Sequence, residues 1–284
     1  MTAMRPQSAC CFAAKWLRPA GRPIGVTLVV MTLALIQPAA AQQAACTLGV
    51  IGVATVAAAR DGRTLLLEDG REARLAGIET PFPGEPGAEA ARAALAALAA
   101  GRTVTLHSAE PAPDRYGRLM VHATAEGRTL QERLLASGHA RVSPRAGSAA
   151  CLAPLLAQER AARDARRGLW ADGTFGPQDA AMVADPAAAI AALRGRFAVI
   201  EGTVVSVRES RGVIYMNFAR RWSRGFTVTI LKRNERSFAA AGIDPRMLEG
   251  RRLRVRGYVE QRQGPVIEAA RPEQIELAGL GWAN

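Results

Sequence analysis

Acidic residues are missing from the first 41 positions, where the only charges are Arg5, Lys15, Arg18 and Arg22. A long hydrophobic run is missing too. The apolar stretch from Ile24 to Ile36 falls short of a comfortable membrane span, and the small residues Ala39, Ala40 and Ala41 follow it. Basic, apolar and small segments in that order predict a secretory signal at residues 1–41, cleaved after Ala41, leaving a periplasmic or secreted chain with no stable membrane span. A lipid anchor at Cys46 is disfavoured, because Gln43, Ala44 and Ala45 put no apolar residue where lipid attachment needs one. Histidine is scarce as well. His107, His122 and His139 show no metal-ligand spacing and read as structural or surface residues.

Of the four cysteines, Cys10 and Cys11 leave with the signal, and Cys46 and Cys151 remain. Two cysteines in an oxidising compartment predict one disulfide, with two buried free thiols as the alternative. The bond would close a loop of about a hundred residues, worth on the order of 4 kcal/mol in chain entropy. The chain has 37 basic and 25 acidic residues, and the excess is uneven: from Arg196 onward there are 16 basic and 9 acidic ones. A basic surface of this kind suits nucleic acid, an anionic membrane or plain solubility, and charge alone does not separate these.

After the signal, strands are expected at 47–58, 64–67 and 73–78, the second and third joined by a turn at Asp69-Gly70. Pro86 opens an Ala/Leu helix ending at Gly101, strands follow at 104–107 and 119–123, and helices at 130–137 and 151–167 end at Gly138 and Gly168. Three strands, a helix and two strands are the order of an OB-type barrel. Residues 171–195 mix Gly, Pro, Asp and Ala without sustained pattern and read as a linker. From Phe197 the same order returns. The fold class is therefore mainly β with helices (α+β): two OB-type five-stranded barrels, at 42–170 and 196–284, without detectable internal sequence repetition.

Three clusters in the first domain carry chemistry: Asp61-Gly62-Arg63-Thr64, Arg74-Leu75-Ala76-Gly77-Ile78-Glu79-Thr80-Pro81, and Asp114-Arg115-Tyr116-Gly117-Arg118-Leu119. In order and spacing they resemble the D-G-D-T turn, R-L-x-x-I/V-D-T/A-P-E segment and D-x-Y-G-R loop of the staphylococcal nuclease (thermonuclease) family, and Gly168-Leu169-Trp170 resembles that family's ending. The resemblance spans roughly 47–170 and implies a phosphodiesterase site with two phosphate-binding arginines, one Ca²⁺ and a water-activating glutamate. Arg74 and Arg118 match the arginines. Asp61, Glu79 and Thr80 match metal-site positions. The second acid of the turn, however, is Arg63, and the position of the water-activating glutamate is Phe82. Glu85 is the nearest acid downstream, and a differently folded loop could bring it round as a base. Residue by residue, Arg63 and Glu79 can equally form an ion pair across neighbouring strands, Asp61 can equally stabilise the turn, and Asp114 and Tyr116 can shape the loop that presents Arg118.

The second domain has no recognisable catalytic set. Tyr215, Phe218, Arg220, Arg221, Trp222 and Arg224 alternate aromatic and basic character, the combination that grips single-stranded DNA or RNA, and they can equally be core aromatics beside a solvated loop. Arg252, Arg254 and Arg256 fall on one strand face. The sequence thus predicts an exported protein that binds nucleic acid or phosphate-bearing anions, with no cofactor, or with Ca²⁺ if the family's metal site survives. An active metal-dependent phosphodiesterase and an envelope structural or protein-interaction module are the alternatives. The number of acids at the phosphate pocket discriminates between binding and cutting, and a pocket with Glu79 as its one acid favours binding.

Overall fold

A computed structural model of the chain describes residues 46–110, 112–144, 149–180, 186–221 and 225–278; the candidate signal, Trp222 and Arg224 lie outside them. The described residues from Cys46 onward belong to one compact unit with two large apolar cores and a third small cluster. The first part runs β1 (Val50–Ala59), β2 (Thr64–Leu67), β3 (Glu72–Leu75), β4 (Ile78–Glu79), α1 (Ala88–Ala99), β5 (Thr103–Ser108), β6 (Leu119–Ala125), β7 (Arg128–Thr129), α2 (Leu130–Ala136), β8 (Arg141–Val142) and α3 (Ala149–Asp164). Antiparallel ladders join β1 to β2, β2 to β3, β1 to β5 and β5 to β6. A parallel β3–β6 ladder closes the ring, giving the five-stranded barrel of staphylococcal nuclease and OB type. Leu65, Leu67, Ala73 and Leu75 alternate into its core, and α1 covers one end with Ala91, Leu95 and Ala99, spaced by four residues.

One expected strand splits in two. The ladder of β3 stops at Leu75, Gly77 takes φ 78° and turns the chain, and Ile78 and Glu79 pair with Val142 and Arg141 of β8. That turn presents Glu79 away from the barrel ladder. Gly138 and Gly168 meet back to back: a Cβ on Gly138 would lie 2.0 Å from the Arg167 carbonyl oxygen, so the ends of α2 and α3 approach only through glycine. The Cys46–Cys151 disulfide forms and ties the start of the first barrel to α3.

The segment after α3 alternates exposed residues with buried anchors. Phe175 is buried with Trp170, while β9 (Gln178–Asp179) adds to the second barrel and α4 (Pro186–Ala191) sends Ile190 into its core. That barrel comprises β10 (Phe197–Thr203), β11 (Ser206–Ser210), β12 (Val213–Asn217), β13 (Thr227–Leu231), α5 (Glu235–Ala240), β14 (Arg252–Tyr258), β15 (Glu260–Gln261), β16 (Pro265–Glu268) and β17 (Ile275–Leu277). β10 and β11 act as one bent strand, pairing β14 with the first half and β12 with the second. β14 and β15 do the same toward β10 and β16, and β13 and β16 run parallel as β3 and β6 do.

The basic stripe of β14 does share a face, but that face is not a free basic surface. Arg252 pairs with Asp179 and Glu201, and Arg254 with Glu201. Arg256 is fully buried and binds Glu159 of α3 and Glu276 of β17, both at 2.8 Å, while its Nη1 also donates to the Val142 carbonyl oxygen at 3.3 Å. Burial pushes the Glu276 carboxyl up, but Arg256, Arg163 and Arg254 outweigh it and hold it below the usual carboxylate range. Arg256→Met would leave two buried acids without their main cation, and urea unfolding should show a loss of about 3–5 kcal/mol. Because Glu276 is depressed in the fold, its contribution is present above the unfolded value of about 4.3 and is lost as pH falls through the lower folded value; acid titration of Glu276→Gln should show a shallower decline there.

Candidate nucleic-acid interface

The candidate residues of the first barrel meet at a cleft of about 870 Å³, lined by Arg63, Arg74, Glu79, Asp114, Arg118, Ser143 and Tyr258 among others. The turn between β1 and β2 builds one side. Asp61 accepts the Arg63 amide on Oδ1 at 2.8 Å and the Thr64 hydroxyl on Oδ2 at 3.0 Å, so both its oxygens serve the turn. Gly62 is required there, since a Cβ would come within 2.8 Å of the buried Thr80 hydroxyl.

Arg63 and Glu79 form the ion pair the strand geometry allows, and both are nearly withdrawn from water, with side-chain exposures of 8% and 3%. Nη1 of Arg63 also donates to the Ile78 carbonyl oxygen at 2.9 Å. The second barrel completes this group: the Tyr258 hydroxyl donates to Glu79 Oε1 at 2.5 Å, while Oε2 is buried with no hydrogen-bond partner. Burial pushes the Arg63 guanidinium down, and Glu79 and Tyr258 more than compensate and raise it. Burial and the Glu79 charge push the Tyr258 phenol up, so it stays a donor at neutral pH.

Arg74 projects from β3 between Arg63 and Arg118. Burial first, and then these two cations, lower its pKa. Among the described residues its guanidinium has neither ion pair nor hydrogen bond. Arg118 is held differently: Nε and Nη2 both reach Asp114 Oδ2, at 2.9 and 2.7 Å, and its guanidinium lies 4.9 Å from the centroid of the exposed Tyr116 ring. Asp114 also accepts the Tyr116 and Arg118 amides, which sets the loop. The acids lining the cleft are thus Glu79, Asp114 and Glu110, more than the single acid of the binding criterion, although Asp114 is spent on Arg118 and Glu79 on Arg63.

Glu85 is placed elsewhere. It accepts the Phe82 amide at 2.9 Å, pairs with Arg196 at 3.2 Å, and lines a separate cavity of about 190 Å³ with Arg141, Phe175 and Phe197. Burial pushes Arg141 down to about 10, still charged at neutral pH, and both rings flank it. In the second barrel, Phe218 is buried against Phe226 in the core, whereas Tyr215 is half-buried in one row with exposed Arg208 and buried Thr229, and Arg220 and Arg221 are exposed.

Residues 72–172 match the model of the staphylococcal nuclease homologue family. This stretch is similar to a staphylococcal nuclease-type domain. The match begins at β3, so the turn carrying Asp61 and Arg63 lies before it, and the second barrel lies after it. No curated protein matches the chain. At family level the nuclease-type domain speaks for nuclease action or nucleic-acid binding.

Sequence reasoning missed Tyr258, 179 positions from Glu79. The one signal was its place two residues beyond Arg256 on the same strand face. Arg63→Leu would leave the Glu79 carboxylate buried with the tyrosine as its main partner; thermal or urea unfolding should show a loss of about 3–5 kcal/mol, whereas Arg63→Leu with Glu79→Leu should recover most of it.

Proposed function

We propose that this is an exported protein that binds nucleic acid through its phosphates without metal-dependent hydrolysis. The observation that carries the proposal is the pairing of Arg63 with Glu79 while Arg74 stands free beside Arg118. The free fork of Arg74, with Arg118 beside it held in place by Asp114 and keeping Nη1 for a ligand, suits a phosphodiester, since guanidinium donors are planar and charge-assisted. The exposed Tyr116 ring at the rim adds a face on which a base can stack. Exposed Arg220 and Arg221 of the second barrel, with half-buried Tyr215, supply further contacts for a single strand.

The residues do not fit the family's Ca²⁺. That ion wants six to eight oxygens and several negative charges. Here both Asp61 oxygens are used by the turn, Glu79 Oε1 holds two donors, and a guanidinium stands beside it. The family's water-activating position is Phe82, and Glu85 is tied to Arg196 and to the Phe82 amide. The basic, apolar and small order of the first 41 residues and the Cys46–Cys151 bond support export to an oxidising compartment. No helix among the described residues is long and apolar enough to cross a membrane.

Fluorescence anisotropy with labelled single-stranded DNA and RNA tests the proposal. Binding should persist in chelator, and Arg74→Ala should weaken it and make the log–log salt dependence shallower by about 0.7, the value of one phosphate contact on a single strand. Neither strand should be cut in Ca²⁺ or Mn²⁺. Metal-dependent cleavage that disappears in Arg74→Ala would contradict the proposal.

A further inference from the structure

We infer that Tyr258, supplied by the second barrel, is a positioning residue of the first barrel's anion cleft: by satisfying Glu79 it keeps Arg74 free to receive a phosphate. The inference rests on the reading of that cleft as an anion site, and it extends the site across the two barrels.

A buried carboxylate draws any donor within reach, because water cannot satisfy it. Glu79 has two cationic neighbours in the cleft, Arg63 and Arg74, and both feel its charge. Arg63 is committed to it and to the Ile78 carbonyl oxygen. Oε2 already lacks a partner. Without the Tyr258 hydroxyl, Oε1 would lose its second donor. Arg74, which lines the same cleft, feels the Glu79 charge and holds no ion pair among the described residues, is the guanidinium on the cleft side that can turn toward it. An Arg74 drawn onto Glu79 is neutralised and turned away from an incoming anion. With Tyr258 present, Oε1 of Glu79 is met by one cation and one neutral donor, and Arg74 keeps its fork for an incoming anion. At a position where the nuclease family places a metal ligand, a guanidinium and a phenol therefore do what a cation would otherwise do for the carboxylate: they neutralise and orient it.

Tyr258 is held firmly enough for this task. It pairs in register with Phe197, whose ring meets it edge-on at 5.6 Å. Two residues earlier on β14, Arg256 is locked to Glu159 and to the carbonyl oxygen of Val142. Val142 belongs to β8, which is the ladder partner of Glu79's own strand. One strand of the second barrel thus grips both β8 and the carboxylate beside it, and the hydroxyl is aimed by contacts on either side.

The test is a set of variants read by anisotropy of a labelled single-stranded DNA in chelator over a range of salt concentrations. Tyr258→Phe should weaken binding about tenfold, the scale of one lost charge-assisted contact, and make the salt dependence shallower by about 0.7. In an Arg74→Ala background the same change should have no further effect, because the residue acts through Arg74. Adding Glu79→Gln to Tyr258→Phe removes the charge that recruits Arg74 and should restore most of the affinity. Tyr258→Phe binding as tightly as the unmodified protein, or weakening Arg74→Ala by the same factor, would overturn the inference while leaving the anion site standing. Failure of the unmodified protein to bind at low salt would instead overturn the reading of the cleft itself.

Discussion

A carboxylate withdrawn from water must be met by positive charge and hydrogen-bond donors, and Glu79 is the place where this requirement organises the protein. Its backbone is turned out of the first barrel's ladder by Gly77 and paired with β8, which leaves the side chain at the bottom of a cleft rich in arginine. Arg63 meets the charge from the β1–β2 turn and Tyr258 meets it from the second barrel. The same three residues are wall of the cleft, joint between barrels and neutraliser of the carboxylate. The character of the site follows from how that one charge is balanced.

The joint is reinforced by a second buried charge of opposite sign. Arg256 enters from the second barrel and is met by Glu159 from α3 and Glu276 from β17. Each side therefore contributes a buried charge that the other, at least in part, satisfies. Such groups are costly when parted, because separation exposes each to an environment that cannot replace its partner. They help to join the described residues from Cys46 onward into one compact unit although its apolar cores are separate. It also explains why a chain with so many arginines shows few free ones near the junction: those of β14 are spent on acids.

What the sequence made legible were patterns with local causes. Period-two alternation placed the strands of both barrels in order, and glycine at positive φ closed the helices at Gly101, Gly138 and Gly168. Three motif clusters brought out Arg74, Arg118 and the departures at Arg63 and Phe82. For Phe218 the sequence left base stacking and core packing equal, and its burial supports the core. What stayed hidden depended on distant partners. Arg252, Arg254 and Arg256 read as a basic face because Asp179, Glu201, Glu159 and Glu276 lie on other elements. Tyr258 and Arg141 carry no motif, and only docking of the barrels gives them their surroundings. Gly77 broke an expected strand because one residue at positive φ ends a ladder that hydrophobic pattern alone would continue.

The central claim is that a guanidinium stands where this kind of site would otherwise hold a cation, and that phosphate binding proceeds without one. Isothermal titration of Ca²⁺ into the unmodified protein, alone and with a saturating single-stranded oligonucleotide, tests it most directly. The account predicts no heat of specific Ca²⁺ binding in either case and an oligonucleotide affinity unchanged by the ion; stoichiometric Ca²⁺ binding that tightens the oligonucleotide would contradict it.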